Sequence, residues 1–502
     1  MNGFPILSIA LFAPLVGALL IAFLPRGGGR TIKWIAAAVT FVSLVLSIKV
    51  LVGYSFSQGG MQFIESVPWV ADLGVRYALG VDGISLPLLL LTNLIGFSAV
   101  FASWQVEERG KEFFILLLIL ITGVMGTFVA TDLFIFFLFY EVVVIPIYLL
   151  VIMFGSSKRV TKEYAGMKLT IYLLIGSAAL LVGLIALFIK AKGLLGFPSL
   201  DIATLAGLQY PVPFQVFVFS LMVFGFGTLI SMFPFHAWSP DGYAGAPTAV
   251  SMIHAGVLKK IGGYGLIRIG LFILPIGARY VAPVIAVLAI VNVVYAAMIC
   301  LSQKDLKYIV GYSSVSHMGY VLIGFAALNL ISINGAVMMM FAHGVMAALF
   351  FAMIGNLYYK SHCRNVDDFG GLAHQMPRLA TGFMLAGLAS LGLPGTVNFI
   401  GEFTIFVGAF RVYRSLSIIA IMGIVLTAVY ILRALGAVLF GTRREEWDHL
   451  QDLQGLEMVP LLVLGGVILV VGILPFLIMN PINSGVGQLL ASVGLMQMGG
   501  NF

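Results

Sequence analysis

Glu141 is the only charge in a long apolar run, LFIFFLFYEVVVIPIYLLVIMFGSS, between Asp132 and Lys158. A carboxylate near the middle of a membrane span is expensive. Insertion scales put a central charge at about +2.5 to 3.5 kcal/mol, and residues kept at that cost are functional candidates by default. Glu141 belongs to a set. The stretch APTAVSMIHAGVLKKIGGYGLIRIG holds His254 and the adjacent pair Lys259 and Lys260. His317 lies in GYSSVSHMGYVLIGF, His343 in MMMFAHGVMAALFF, and Glu402 is the only charge from Leu379 to Phe410.

Each residue also has a plainer reading. A lone buried histidine is commonly a hydrogen-bonded core residue. A lysine pair can snorkel to the surface, although here apolar chain flanks it on both sides. The two glutamates could belong to structural ion pairs. Together they say more. Carboxylates, imidazoles and amines at membrane depth can each hold a proton, and water threaded between them can pass it on. Burial penalises the charged form of each group and an opposite charge nearby restores it. Histidine titrates near neutral pH without help. A group poised between these effects switches when a neighbour moves, as a coupled proton pump requires. The pattern points to ion translocation and leaves its driver open.

Other polar residues are secondary candidates. Lys168, in KEYAGMKLTIYLLIGS, reads first as a membrane-edge anchor and second as a partner for Glu141. Arg433 pairs within the bundle or lines an exit path. Asp82 and Asp132 stand where helices open, and carboxylates favour helix N-termini.

Composition sets the frame. Of 502 residues, 61% are hydrophobic and 9% charged, and the mean hydropathy is +1.09. A soluble domain carries roughly a quarter charged residues, so an all-α polytopic membrane protein is expected. The net charge of +7 lies in short loops and does not suggest nucleic acid. The two cysteines, Cys300 and Cys363, give no metal-ligand spacing. No GxGxxG and no GxxxxGK[ST] is visible. No metal or cofactor is therefore expected in this chain, and the driving reaction lies elsewhere. The first apolar stretch reads as a helix and not a cleaved signal.

A span needs about 20 mostly apolar residues. The breaks predict fourteen helices, near 4–24, 32–52, 83–104, 113–130, 133–154, 166–189, 213–233, 246–271, 281–301, 308–327, 331–358, 379–410, 417–440 and 457–478. Alternate loops separate by charge. One set holds fifteen Lys and Arg, among them Arg26, Lys158, Arg159, Lys304 and Arg364; the other holds six. The richer set reads as cytoplasmic, which puts both termini outside.

Two spans look interrupted, LISMFPFHAW at Pro234 and ASLGLPGTVNFIGEF at Pro394. Proline removes a donor and clashes with the preceding turn. Short, broken helices at matching places in two halves mark inverted-repeat transporters. The expected organisation is one membrane domain. It comprises N-terminal helices over 1–112, five-helix units over 113–271 and 281–440, and a C-terminal loop and helix over 441–502.

The ordered motifs LGVDGISL, DLFIFFLFYEVVVIPIYLL, PFHAWSPDGYAGAPTAVS, LKKIGGYGLIR, QKDLKYIVGYSSVSHMGYV, FAHGVMAALFF, FGGL and GLPGTVNFIGEF cover nearly the whole chain. They resemble the antiporter-like, proton-translocating subunits of respiratory complex I. The resemblance implies fourteen helices, two inverted five-helix repeats, and broken helices 7 and 12. It implies a proton relay running Glu141, Lys260, His317, His343, Glu402. His236, His254, Lys259, Lys168 and Arg433 are possible additional members or partners. Flavin, iron–sulfur clusters and quinone are implied in partner subunits. Those partners are a peripheral redox arm and L- and N-type membrane neighbours, in a bacterial or archaeal plasma membrane. Glutamate at position 402 resembles one branch of the family. L- and N-type chains and sodium/proton antiporter homologues usually carry lysine there.

One position departs from the family. The usual lysine seven residues before the histidine of PFHxW is Leu229 here. That lysine pairs with the helix-5 glutamate. A buried carboxylate without a counter-charge is costly, so the expectation is that Glu141 recruits Lys168, His236 or Lys259.

Overall fold

The computed structural model describes residues 4–25 and 28–495. Arg26, one of the basic loop residues, lies outside the described residues. The chain is a bundle of apolar helices, and among the described residues twelve are long and apolar enough to cross a membrane. They include Leu133–Phe154, Lys162–Leu195, Val212–Ile230, Pro275–Ser302, Leu306–Ala326, Leu330–Ser361 and Arg414–Leu439. The eighth and twelfth expected spans are present as segmented helices, which completes the fourteen.

The apolar residues face two ways. Leu330–Ser361 is enclosed from Ser332 to Leu357, whereas the outer helices show lipid-type side chains such as Ile145, Ile189, Val284 and Leu462. A helix that is hydrophobic all round suits either setting, so composition alone does not distinguish them.

The breaks have local causes. The seventh span ends at Ile230, and a short helix, Trp238–Gly245, resumes beyond Pro234. The freed backbone is taken up by Asn292, whose amide donates to Ser231 O (2.9 Å) and whose carbonyl accepts from Phe233 N. Trp238 Nε1 donates to Thr228 O at 3.1 Å. Backbone groups shielded from water need such partners. The twelfth span divides into Pro377–Ser390 and Val397–Phe410 around Pro394. The eighth span is continuous but irregular. It runs as Thr248–Ile253, a π-helical His254–Leu258, Lys259–Gly265, and a second π-helical turn Leu266–Leu271. π-bulges are uncommon and frequently sit at functional sites.

Two elements were not expected from the sequence. An antiparallel hairpin pairs Gln62–Val70 with Val75–Val81. Its Glu65 accepts Leu7 N (2.8 Å) and Ser8 N (3.1 Å), capping the first helix. A final amphipathic helix, Phe476–Ser492, buries Ile478, Ile482, Val486 and Leu489. The predicted span 457–478 therefore ends at Ile473, and the chain turns into this helix. Ser484 and Gln488 donate to Phe56 O and Gln58 O, joining it to the loop that leads into the hairpin.

Candidate functional site

The irregular eighth span carries both lysines into the centre of the bundle. Lys259 and Lys260 are fully buried, as are His254, His317 and His343. Lys260 Nζ lies 2.9 Å from His343 Nδ1 and also donates to Ala255 O. The Ala255 carbonyl is in the π-helical turn, where the normal i to i+4 bonding is interrupted. His343 and His317 have ring centroids 5.3 Å apart. His317 Nε2 stands 3.8 Å from Glu402 Oε1 and 3.1 Å from Ser390 O. Four of the five expected relay residues thus form one row, Lys260, His343, His317, Glu402. The order of the two histidines is the reverse of the one expected.

The break in the twelfth span shapes the far end of this row. Gly392 has φ +65°, and a Cβ there would lie 2.3 Å from Glu402 Oε2. Ser390 O, at the end of the first half-helix, meets His317. Tyr430 OH donates to Ser313 Oγ (2.9 Å), and Ser313 O lies 2.7 Å from His317 Nδ1. His343 Nε2, Glu402 Oε1, Ser390 Oγ and both polar atoms of the Asn398 side chain make no hydrogen bond to protein. Buried polar atoms ordinarily take a protein or water partner. A line of such atoms along the row is what a water-assisted proton path needs.

The expected partners of Glu141 are engaged elsewhere. Among the described residues, neither an ion pair nor a hydrogen bond reaches Glu141. Lys168 pairs with Asp241 at 2.7 Å. Lys259 contacts Ser314 Oγ (3.4 Å) and sits 5.0 Å from the Tyr243 ring centroid. His236 packs between Phe233 and Tyr295. Leu229 is fully buried. Glu141 is half-buried, on the helix face that also carries exposed Leu138 and Ile145. The 3.6-residue period explains this, because positions 138, 141 and 145 share one face. Its carboxylate therefore sits on the outer face of the bundle, and the expectation of a recruited partner within the chain is corrected.

The remaining candidates resolve into distinct settings. His254 stacks on Trp238 (centroids 4.9 Å) and meets Tyr243 edge-on (4.7 Å), with neither ring nitrogen bonded to protein. Arg433 is exposed and donates to Leu301 O and Gln303 O, capping the end of Pro275–Ser302, with no contact to the row. Asp82 caps the third span through Ile84 N and Ser85 N and also pairs with buried Arg268. Sequence reasoning passed over two residues, Asp241 and Arg268. Asp241 sits in a motif read only for its proline and histidine. Arg268 lies two turns beyond Lys260 in an apolar helix, the same kind of signal that singled out Glu141.

The comparisons with known proteins agree with this architecture. Residues 130–427 match the family described as NADH:quinone oxidoreductase/Mrp antiporter, transmembrane. The chain is 35% identical over 503 residues to NADH-quinone oxidoreductase subunit M of Rhodobacter capsulatus, spanning 97% of this chain and 96% of that protein. It is 37% identical over 447 residues to NAD(P)H-quinone oxidoreductase chain 4 2 of Microcystis aeruginosa, spanning 88% and 80% respectively. Its fold matches a chain of respiratory complex I from Thermus thermophilus with TM-score 0.87 and 24% identity, covering 96% of this chain and 99% of that one. With a family match across more than half of its length and relatives aligned along nearly all of it, the chain belongs to the transmembrane subunit family of NADH:quinone oxidoreductases and Mrp antiporters.

Proposed function

We propose that this chain is the M-type (chain 4) proton-translocating subunit of the membrane arm of an NADH:quinone oxidoreductase. The observation that carries the reading is the enclosed row Lys260, His343, His317, Glu402, with contacts of 2.9 Å and 3.8 Å at its two ends. Flavin, iron–sulfur clusters and quinone belong to partner subunits, and this chain responds to their chemistry through L- and N-type neighbours. Protons pass through the row from the cytoplasmic side outward. Both termini lie on the outer side of a bacterial or archaeal plasma membrane, following the charge bias of the loops. The units 113–271 and 281–440 form the two inverted repeats, each with one broken helix, at Pro234 and Pro394. Glu141, on the exposed face, meets a neighbouring subunit and receives its counter-charge there.

The test is Lys260→Ala in the assembled complex, scored as protons moved per electron transferred in sealed vesicles. The expected result is a lower ratio with assembly and electron transfer retained. An unchanged ratio rejects Lys260 as an obligatory member. The family description also names Mrp antiporters, so a sodium/proton antiporter subunit is the second reading. Sodium-driven proton movement without any electron donor would favour it. Feeding of the complex by ferredoxin or another reduced carrier concerns the partner subunits and leaves the role of this chain the same.

A further inference from the structure

The seventh span lacks a cation at Leu229 and carries an anion beyond its break instead. Asp241 lies in the short helix Trp238–Gly245, and its carboxylate is held from two sides. Lys168 Nζ of the sixth span reaches one oxygen at 2.7 Å, and Tyr308 OH of the tenth span donates to the other at 2.7 Å. Lys168 sits six residues into its helix, about 9 Å along the axis. Both partners keep about a fifth of their side-chain surface exposed, 21% and 18%. The pair therefore sits between the outer surface of the bundle and its buried centre. Tyr164 lies beneath Lys168, and Arg159 covers the Tyr308 ring at 4.3 Å.

The opposite side of this eight-residue helix faces the lysines. Tyr243 is two residues beyond Asp241, and Lys259 Nζ lies 5.0 Å from its ring centroid. Tyr243 and Trp238 together clamp His254. A Cβ on Gly242 would lie 3.0 Å from Leu169 and 3.6 Å from His254, so the helix is wedged between the sixth span and that imidazole. The carbonyls at its C-terminal end are held by Ser251 Oγ at Tyr243 O (3.0 Å), Arg364 Nη1 at Ala244 O (2.8 Å) and Ser156 N at Gly245 O (2.8 Å), so the tilt of the helix about that end depends on what grips its sides.

We propose that Lys168–Asp241 is a charge latch that sets the position of Trp238–Gly245 and, through Tyr243, the environment of Lys259, Lys260 and His254. Lys168 and Asp241 are then positioning residues, and they act on the row without joining it. With the pair closed, the Tyr243 ring screens Lys259. With the pair open, the short helix tilts about its held C-terminal end and the lysine pair gains a polar connection to the Lys168 end of the bundle. The latch takes the part that a glutamate–lysine pair at positions 141 and 229 would otherwise play. The inference rests on the proton-translocating reading.

The experiment uses the assembled complex in sealed vesicles, with Asp241→Asn, Lys168→Gln, and Lys168→Asp combined with Asp241→Lys. Protons per electron, electron-transfer rate and assembly on native gels are read together, with Lys260→Ala as control. The expected result is a lowered ratio in both single variants, with assembly and electron transfer kept, and recovery toward the original ratio in the swapped pair. A ratio unchanged in both single variants, while Lys260→Ala lowers it, overturns the latch alone. A ratio unchanged in Lys260→Ala as well overturns the translocation reading. Failure of both single variants to assemble marks the pair as a structural clasp and also overturns the latch.

Discussion

Glu402 is held where it is by a residue with no side chain. Gly392 has a positive φ, at +65°, and its missing Cβ is the space that Glu402 Oε2 occupies. Gly392→Ala therefore combines a conformation that L-residues rarely adopt with a direct clash, and such backbone strain costs of order 1–3 kcal/mol. The expected outcome is a lower melting temperature of the purified complex together with fewer protons per electron. Unchanged values for both would remove Gly392 from the site. At this scale the sequence was informative where charge interrupts apolar chain. Glu141, Lys260, His317, His343 and Glu402 all stand out for that reason. It was silent on contacts, since these depend on how distant helices pack. The histidine order is one example. Glu141 is another: it reads the same whether its helix turns it inward or outward.

The broken seventh span shows how a helix interruption is maintained inside lipid. Asn292, from Pro275–Ser302, fills both a donor and an acceptor role at the break. Asn292→Leu keeps the approximate shape and leaves Phe233 N and Ser231 O without that partner. Each buried unpaired polar group costs about 1–3 kcal/mol, so thermal unfolding of the complex is expected to begin several degrees lower. An unshifted curve would mean that other groups satisfy the break. Proline and glycine made both interruptions legible, because Pro234 and Pro394 cannot continue a helix. The π-helical turns around Lys259 and Lys260 left no such mark. They arise from packing of a wholly buried helix, and His254–Leu258 contains no breaker except Gly256.

Across the whole molecule, the third and eighth spans are tied by the buried Arg268–Asp82 pair. Removing one member of a buried pair leaves the other uncompensated and costs about 3–5 kcal/mol. Arg268→Ala is expected to lower the yield of assembled complex severalfold. Replacing both residues by apolar ones should cost less than Arg268→Ala, apart from the helix cap that Asp82 also supplies. Equal losses would show that leaving the Asp82 carboxylate unpaired costs no more than losing the pair and the cap together. The count of fourteen crossings was legible from hydropathy, since each needs its own apolar run. The hairpin and the terminal helix were not. Both lie against the ends of the bundle, where a weak alternating or 3.6-residue pattern is masked by the apolar chain around it.

The eleventh span, Leu330–Ser361, has a consequence for how the protein is made. It is apolar enough to enter a bilayer on its own, with a mean hydropathy of 2.1 over its most apolar 18 residues, yet in the finished bundle it is walled in from Ser332 to Leu357. Its first solvent is lipid and its last is protein. Met338, Met339, Met340, Met346 and Met353 line it, and methionine adapts to irregular surroundings better than branched side chains do. Errors on this helix, which also carries His343, would surface during biogenesis, as a span that inserts but is never enclosed by its neighbours.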